Sequence, residues 1–172
     1  MSKIETKDDL VPEIVFKEMC DHLTGDSFAW YMGKIIREDE QLEDEELTCS
    51  IVDNLHFCHI FYEKDRPNSK DINWMDPILC KLDHKSLIRI KANCTVRTST
   101  IVSHGYHIDI PFKESKTSIY YLNSNDGYTE FEDGTKIESV ANRLVTFPST
   151  MRHSGTSCTN ERNRIVINFN YF

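Results

Sequence analysis

The sequence lacks any apolar run approaching the ~20 residues that a membrane-spanning helix requires. Its opening residues, Met1-Ser2-Lys3-Ile4-Glu5-Thr6-Lys7-Asp8-Asp9, hold no apolar stretch that would serve as a secretion signal, so a cytoplasmic protein without membrane contact is expected. Cysteine is scattered: the six stand at positions 20, 49, 58, 80, 94 and 158, with no CxxC pair and no zinc-finger spacing. They are expected to be reduced, mostly buried small hydrophobes. Glycine (6) and proline (5) are modest, and no repeat or low-complexity linker divides the 172 residues, which predicts a single domain over 1–172. Positive charge is also short. With 20 Lys and Arg against 28 Asp and Glu the net charge is −8, which weighs against nucleic acid as a partner, because attraction to phosphate needs a basic footprint. Much of the acidity lies in residues 38–46, read as a solvated loop, with a substrate-facing lid as the alternative.

What is present is a helix followed by patterned strands. Residues 12–23 predict a helix: Pro12 suits a first-turn position, and Ile14, Val15, Met19 and Leu23 recur at helical spacing. Phe28 to Ile36 reads as a strand, and so does Ser50 to Glu63, which is rich in Ile, Val, Phe and Tyr. Asp76-Pro77 opens a short helix ending near His84. From Leu87 onward short alternating runs are separated by turn signals, the pattern of an antiparallel sandwich or barrel. Asp126-Gly127 and Asp133-Gly134 are turn dipeptides around a strand from Tyr128 to Phe131. In the last strand Ile165, Ile167, Phe169 and Tyr171 share one face and Arg164, Val166, Asn168 and Asn170 the other. Likewise Tyr106, Ile108 and Ile110 oppose His107 and Asp109. The apolar faces pack on core. The polar faces suit either solvent or the polar interior of a β-barrel.

His107-Ile108-Asp109 carries the chemistry. Two residues apart on a strand, with Cα atoms roughly 6.6 Å apart, an imidazole and a carboxylate reach adjacent vertices of one octahedral metal. His153 lies 44 residues after Asp109, beyond an expected strand from Arg143 to Phe147, and is the candidate third ligand. Two histidines and one carboxylate leave three positions open, which points to Fe(II) oxygen chemistry rather than a closed structural zinc site. His-x-Asp alone is common by chance, and Arg164, eleven residues after His153 on a polar strand face, adds to it. A guanidinium facing a barrel interior is costly unless it meets an anion, and a carboxylate suits its bidentate fork. An arginine at a strand entrance reaching solvent is the plainer reading. His56 and His59, three apart in a strand, fall on opposite faces and are not expected to share a metal. His104 is read as a loop histidine, with a role in supporting the ligands or the substrate loop as the alternative; His22 and His84 look incidental.

In these and neighbouring residues the chain resembles the 2-oxoglutarate/Fe(II) dioxygenase superfamily, in its prolyl-4-hydroxylase-like branch, which includes short stand-alone members encoded by bacteriophages. The resemblance runs through His107-Ile108-Asp109, residues 118–123 (Ser-Ile-Tyr-Tyr-Leu-Asn), 127–131 (Gly-Tyr-Thr-Glu-Phe), 142–149 (Asn-Arg-Leu-Val-Thr-Phe-Pro-Ser), His153-Ser154-Gly155 and 164–169 (Arg-Ile-Val-Ile-Asn-Phe). It covers about residue 87 to the C-terminus. It implies a mainly β (α+β) double-stranded β-helix, or cupin-like jelly roll, with N-terminal helices packed on one sheet. Residues 1–86 would supply those helices and flanking strands, and 87–172 the metal-binding core. It further implies His107, Asp109 and His153 as iron ligands, Arg164 on the distal carboxylate of 2-oxoglutarate and Tyr121 on the same carboxylate. Fe(II), 2-oxoglutarate and O2 follow as cofactor and cosubstrates, with ascorbate as an accessory reductant. Two departures stand out: Thr95-Val96 where the branch often has Tyr-Pro, leaving open whether Thr95 completes the cosubstrate pocket, and Asp126-Gly127 where it often doubles Gly.

The implied reaction is hydroxylation coupled to conversion of 2-oxoglutarate into succinate and CO2, on a prolyl residue of a peptide or protein. A free amino acid, another small molecule or a nucleobase stays open as substrate. So do a non-catalytic cupin-like metal-binding module and a zinc hydrolase on a similar barrel, neither of which needs Arg164. A phage-encoded member would work in the host cytoplasm.

Overall fold

The computed structural model describes residues 4–33 and 55–172, so the acidic run 38–46 and the ends of two expected strands, 34–36 and 50–54, lie outside the described residues. The strands are β1 (Glu5–Lys7), β2 (Tyr31–Gly33), β3 (His56–Glu63), β4 (Arg66–Pro67), β5 (Leu87–Val96), β6 (Lys116–Tyr121), β7 (Tyr128–Phe131), β8 (Lys136–Glu138), β9 (Arg143–Pro148), β10 (His153–Gly155) and β11 (Asn163–Tyr171). A large antiparallel sheet runs β1-β9-β6-β11-β5-β3-β2, with β4 beside β3, and a small sheet runs β10-β7-β8. Phe131 of the small sheet packs with Ile119, Tyr121, Val145, Phe147 and Val166 of the large one, closing the jelly roll. No helix of the described residues is long and apolar enough to cross a membrane.

The helix α1 (Glu13–Thr24) begins after Pro12, whose carbonyl accepts from Phe16 N at 2.9 Å, and places Glu13 in the first turn, where the helix dipole favours an anion. Met19 and Leu23 are buried, and Val15, Phe16 and Cys20 pack beside them. Ile14, expected on that stripe, is 70% exposed, because the buried stripe runs through Phe16 and Cys20 instead. The second helix, α2 (Asp76–Leu79), follows a 3₁₀ turn over Lys70–Met75 and is shorter than expected. Lys81 N and Leu82 N reach back only three residues, to Ile78 O and Leu79 O, so the helix does not continue to His84.

The two faces of β11 divide as its alternation predicts. Ile165, Ile167, Phe169 and Tyr171 join α1, Phe61, Ile90 and Tyr120 in the main core. The opposite face is interior too, not solvated, because Val166 meets the small sheet and Arg164 and Asn170 are buried. In the antiparallel register Thr95 sits between Arg164 and His56, and Arg89 opposes Asn170. Paired residues share a face, so one inner surface carries His56, Thr95 and Arg164 in one row and Arg89 and Asn170 in another.

Residues 105–110 do not form the expected strand. His107 makes an isolated bridge to His153, Gly105 sits at φ 85°, and Ile108 is 42% exposed rather than in a core. Of the turn glycines, Gly134 has φ 85° and closes its turn by donating to Phe131 O, whereas Gly127 keeps an ordinary φ and serves close packing: a β-carbon there would lie 2.5 Å from Ser157 O and 2.7 Å from Arg164 Cδ. The cysteines are less uniform than expected: Cys94 and Cys158 are buried, Cys20 and Cys58 half-buried and Cys80 exposed. Cys49 lies outside the described residues.

Candidate metal centre

His153 opens β10 between two partners: Phe131 of β7 on one side and His107 on the other, where the His107 and His153 amides and carbonyls exchange bonds of 2.9 and 3.0 Å. That bridge sets the two rings 4.7 Å apart, and Asp109 follows two residues later. One ligand atom from each of the three residues lies within 4.8 Å of the others. His107 Nε2 is 3.9 Å from Asp109 Oδ1, and His153 Nε2 is 4.0 Å from Asp109 Oδ2. Each ring is fixed from behind by its other nitrogen: Nδ1 of His107 donates to Gly105 O at 3.2 Å and Nδ1 of His153 to Met151 O at 3.1 Å. A carbonyl only accepts, so Nδ1 carries the proton and both Nε2 lone pairs face the shared point.

Asp109 is held equally firmly. Arg89 Nη2 donates to Oδ1 and Asn170 Nδ2 to Oδ2, both at 3.2 Å; Arg89 Nε also donates to Asn170 Oδ1, and Asn170 Nδ2 to Thr117 Oγ1. Burial by itself raises the Asp109 carboxyl's pKa, but His153, Arg89, His107 and the Asn170 bond together hold it below the usual carboxylate range. Burial works the other way on His153, lowering its pKa and keeping the ring neutral. Two imidazoles and one carboxylate, aimed at one point, fit a 2-His-1-carboxylate divalent metal site with open positions. His107, with a side chain 53% exposed, forms its outer side.

Arg164 is 4% exposed, and no carboxylate among the described residues pairs with it. Its Nε donates to Ser139 Oγ at 2.8 Å and its Nη2 to Thr129 Oγ1 at 3.1 Å. Tyr121 donates to the same Thr129 oxygen at 2.8 Å, and its ring lies under the guanidinium at 5.5 Å. Burial keeps that phenol protonated by raising its pKa. Thr95 does not offer a free hydroxyl: Oγ1 donates to the Arg164 carbonyl at 3.3 Å.

Three sequence candidates, His107, Asp109 and His153, therefore converge, and Arg164 and Tyr121 meet at Thr129. His56 and His59 are separated as their spacing requires; His59 bonds Ala29 O and Ser69 Oγ on the core side. His22 stacks on Trp74 and bonds Asp71. His104 lies in a loop as expected, between β5 and β6, but it is 8% exposed and lines a cavity of about 210 Å³ with Thr95, Val102 and Ser157. Arg89, Asn170, Thr117, Thr129 and Ser139 were not singled out as site residues. For Asn170 a signal existed, its shared face with Arg164; Arg89 becomes visible only through strand pairing.

Comparison with family models and with curated proteins gives no match. Solved structures do match. A prolyl hydroxylase from Trichoplax adhaerens, in complex with a hypoxia inducible factor oxygen degradation domain peptide fragment, aligns at TM-score 0.63 and 15% identity over 98% of this chain and 83% of that one. A Pseudomonas putida prolyl-4-hydroxylase aligns at TM-score 0.56 and 15% identity, over 100% and 94%. SnoN, a non-heme alpha ketoglutarate dependent epimerase from nogalamycin biosynthesis, aligns at TM-score 0.68 and 9% identity, over 99% and 78%. The chain thus shares the jelly-roll fold of these prolyl hydroxylases and of this non-heme alpha ketoglutarate dependent epimerase.

Proposed function

We propose that this protein is a single-domain 2-oxoglutarate- and O2-dependent Fe(II) hydroxylase, with His107, Asp109 and His153 as iron ligands. The observation that carries the reading is the buried Arg164, which has no carboxylate partner among the described residues and lies on the same inner sheet face as Asn170, the residue that holds Asp109. A site for metal alone needs no such cation. A dicarboxylate cosubstrate does, since it brings one carboxylate to the guanidinium and keeps the other end for the metal.

Bound Fe(II) supplies the oxidising chemistry with O2. The chain's own residues do the positioning. The backbone carbonyls behind His107 and His153 fix both tautomers, and Arg89 and Asn170 fix the carboxylate. Arg164, with Thr129 and Tyr121 around it, receives the distal carboxylate. Ascorbate would act only as an accessory reductant.

For substrate we propose a prolyl residue in a peptide or protein. The prolyl hydroxylase neighbour bound to a peptide supports it, and so does the apolar Ile108, which stands between His107 and Asp109 and is 42% exposed. The likeness to an epimerase from nogalamycin biosynthesis favours a small molecule as the second reading. The test is succinate formation from 2-oxoglutarate with Fe(II), with and without proline-bearing peptides, free proline and single-stranded DNA, read by mass spectrometry for a gain of one oxygen. Wild-type protein is expected to form succinate and His107→Ala none. Oxygen on free proline or DNA but on no peptide overturns the prolyl-peptide reading, and no succinate under any condition overturns the hydroxylase.

A further inference from the structure

We propose that His104 is a second donor, beside Arg164, to the distal carboxylate of the 2-oxo acid, the two groups meeting above Gly155. This rests on the cosubstrate reading just given and names a residue that composition and spacing left as an ordinary loop histidine.

The geometry starts with the guanidinium. Nε and Nη2 of Arg164 donate to Ser139 and Thr129, and Nη1 is the guanidinium nitrogen that neither hydroxyl takes. His104 is 8% exposed, and neither of its ring nitrogens is hydrogen-bonded among the described residues, although its amide is tied to Gly155 O at 3.0 Å. The ring also lines the cavity with Thr95, Val102 and Ser157, so a polar ligand can reach it. Gly155 explains where that ligand fits. A β-carbon on Gly155 would lie 3.6 Å from Arg164 Nη1 and 3.9 Å from His104 Nδ1, so the missing side chain leaves a hollow bounded by both nitrogens. Those distances put the nitrogens within about 8 Å of each other, the span over which one carboxylate accepts from two donors.

The electrostatics agree. Burial first, then Arg164, His56 and His107, push the His104 pKa down to about 3, so the ring is neutral and carries one N–H. An N–H can donate to an anion without bringing a second buried charge beside Arg164. His56, in the same row as Thr95 and Arg164, is 5% exposed with Nδ1 lacking a partner, so this end of the inner face is short of polar partners at a second position.

The experiment is calorimetric, on anaerobic Fe(II)-loaded protein, with 2-oxoglutarate and with 2-oxopentanoate, which has the keto acid end but no distal carboxylate. His104→Phe is expected to bind 2-oxoglutarate about tenfold more weakly, the loss from removing one hydrogen bond to a charged group, with 2-oxopentanoate and iron affinity unchanged. Gly155→Ala is expected to show the same selectivity by narrowing the hollow, and His104→Gln to recover part of the affinity. Should His104→Phe fail to fold, Gly155→Ala and His104→Gln decide the matter by the same comparison. Unchanged 2-oxoglutarate affinity in the variants, or equal loss of both 2-oxo acids, overturns the role of His104 alone. A wild-type protein that binds neither 2-oxo acid overturns this role and the cosubstrate reading together.

Discussion

Asp109 and Arg164 are both buried charges, and their surroundings treat them differently. Asp109 has Arg89 and Asn170 on its two oxygens, so its orientation is settled before any metal arrives. Removing one of those supports leaves the carboxylate free to turn. Asn170→Ala is therefore expected to weaken divalent metal binding roughly 10–100-fold, measured by titration with Co(II) in the visible, while the three ligands stay in place. Arg164 instead has hydroxyl neighbours and no anion among the described residues. Arg164→Ala is expected to cost about 2–5 kcal/mol of 2-oxoglutarate binding, the usual range for truncating one member of a buried charge pair, and to leave iron binding intact. Calorimetry on the two proteins checks it, and unchanged affinity would place the carboxylate elsewhere.

At the scale of elements, Asn142 ties the N-terminal segment to the jelly roll next to the β1–β9 ladder. Asn142 adopts φ 61°, and its buried amide accepts from Val11 N at 3.1 Å and from the Tyr120 hydroxyl at 2.8 Å while donating to Val11 O at 2.8 Å. Alanine at that position loses all three bonds and tolerates the left-handed conformation poorly. Each buried group left unpaired costs about 1–3 kcal/mol, so Asn142→Ala is expected to destabilise the protein by about 2–4 kcal/mol in urea denaturation, with the metal centre unaffected in the folded fraction. Alternation made the two faces of β11 readable residue by residue. It misled at residues 105–110, where Gly105 turns the chain and the His107–His153 bridge replaces a continuous ladder.

For the whole molecule, two buried histidines predict the acid response. Burial, followed by Lys91, takes the His56 pKa down to about 4, and burial, followed by Arg164, takes that of His104 down to about 3. Between those values and the ordinary 6.5 the unfolded chain binds protons that the folded chain refuses. Stability is then complete above about pH 6.5 and falls as pH drops toward 4, by up to about 1.4 kcal/mol per pH unit for each histidine. His56→Phe is expected to shallow that fall, read from denaturant midpoints at pH 7, 6, 5 and 4. A fall as steep as wild type's would mean that His56 is not buried as the neutral ring.

Properties that depend on neighbours within a few residues could be read directly from the chain: the period of α1, the opposed faces of β11, the pairing of His107 with Asp109, and the separation of His56 from His59. Side-chain direction follows backbone period, and period is local. The support of the metal centre is not local. Arg89 meets Asn170 and Asp109 only because β5 lies beside β11 in one register, and a slip of one residue would turn Arg89 to the opposite face. The same holds for His104, a loop residue whose amide bonds Gly155 O, with Arg164 also beside that glycine. Burial and charge pairing are set by strands distant in sequence, so they emerge only when the two sheets close on each other.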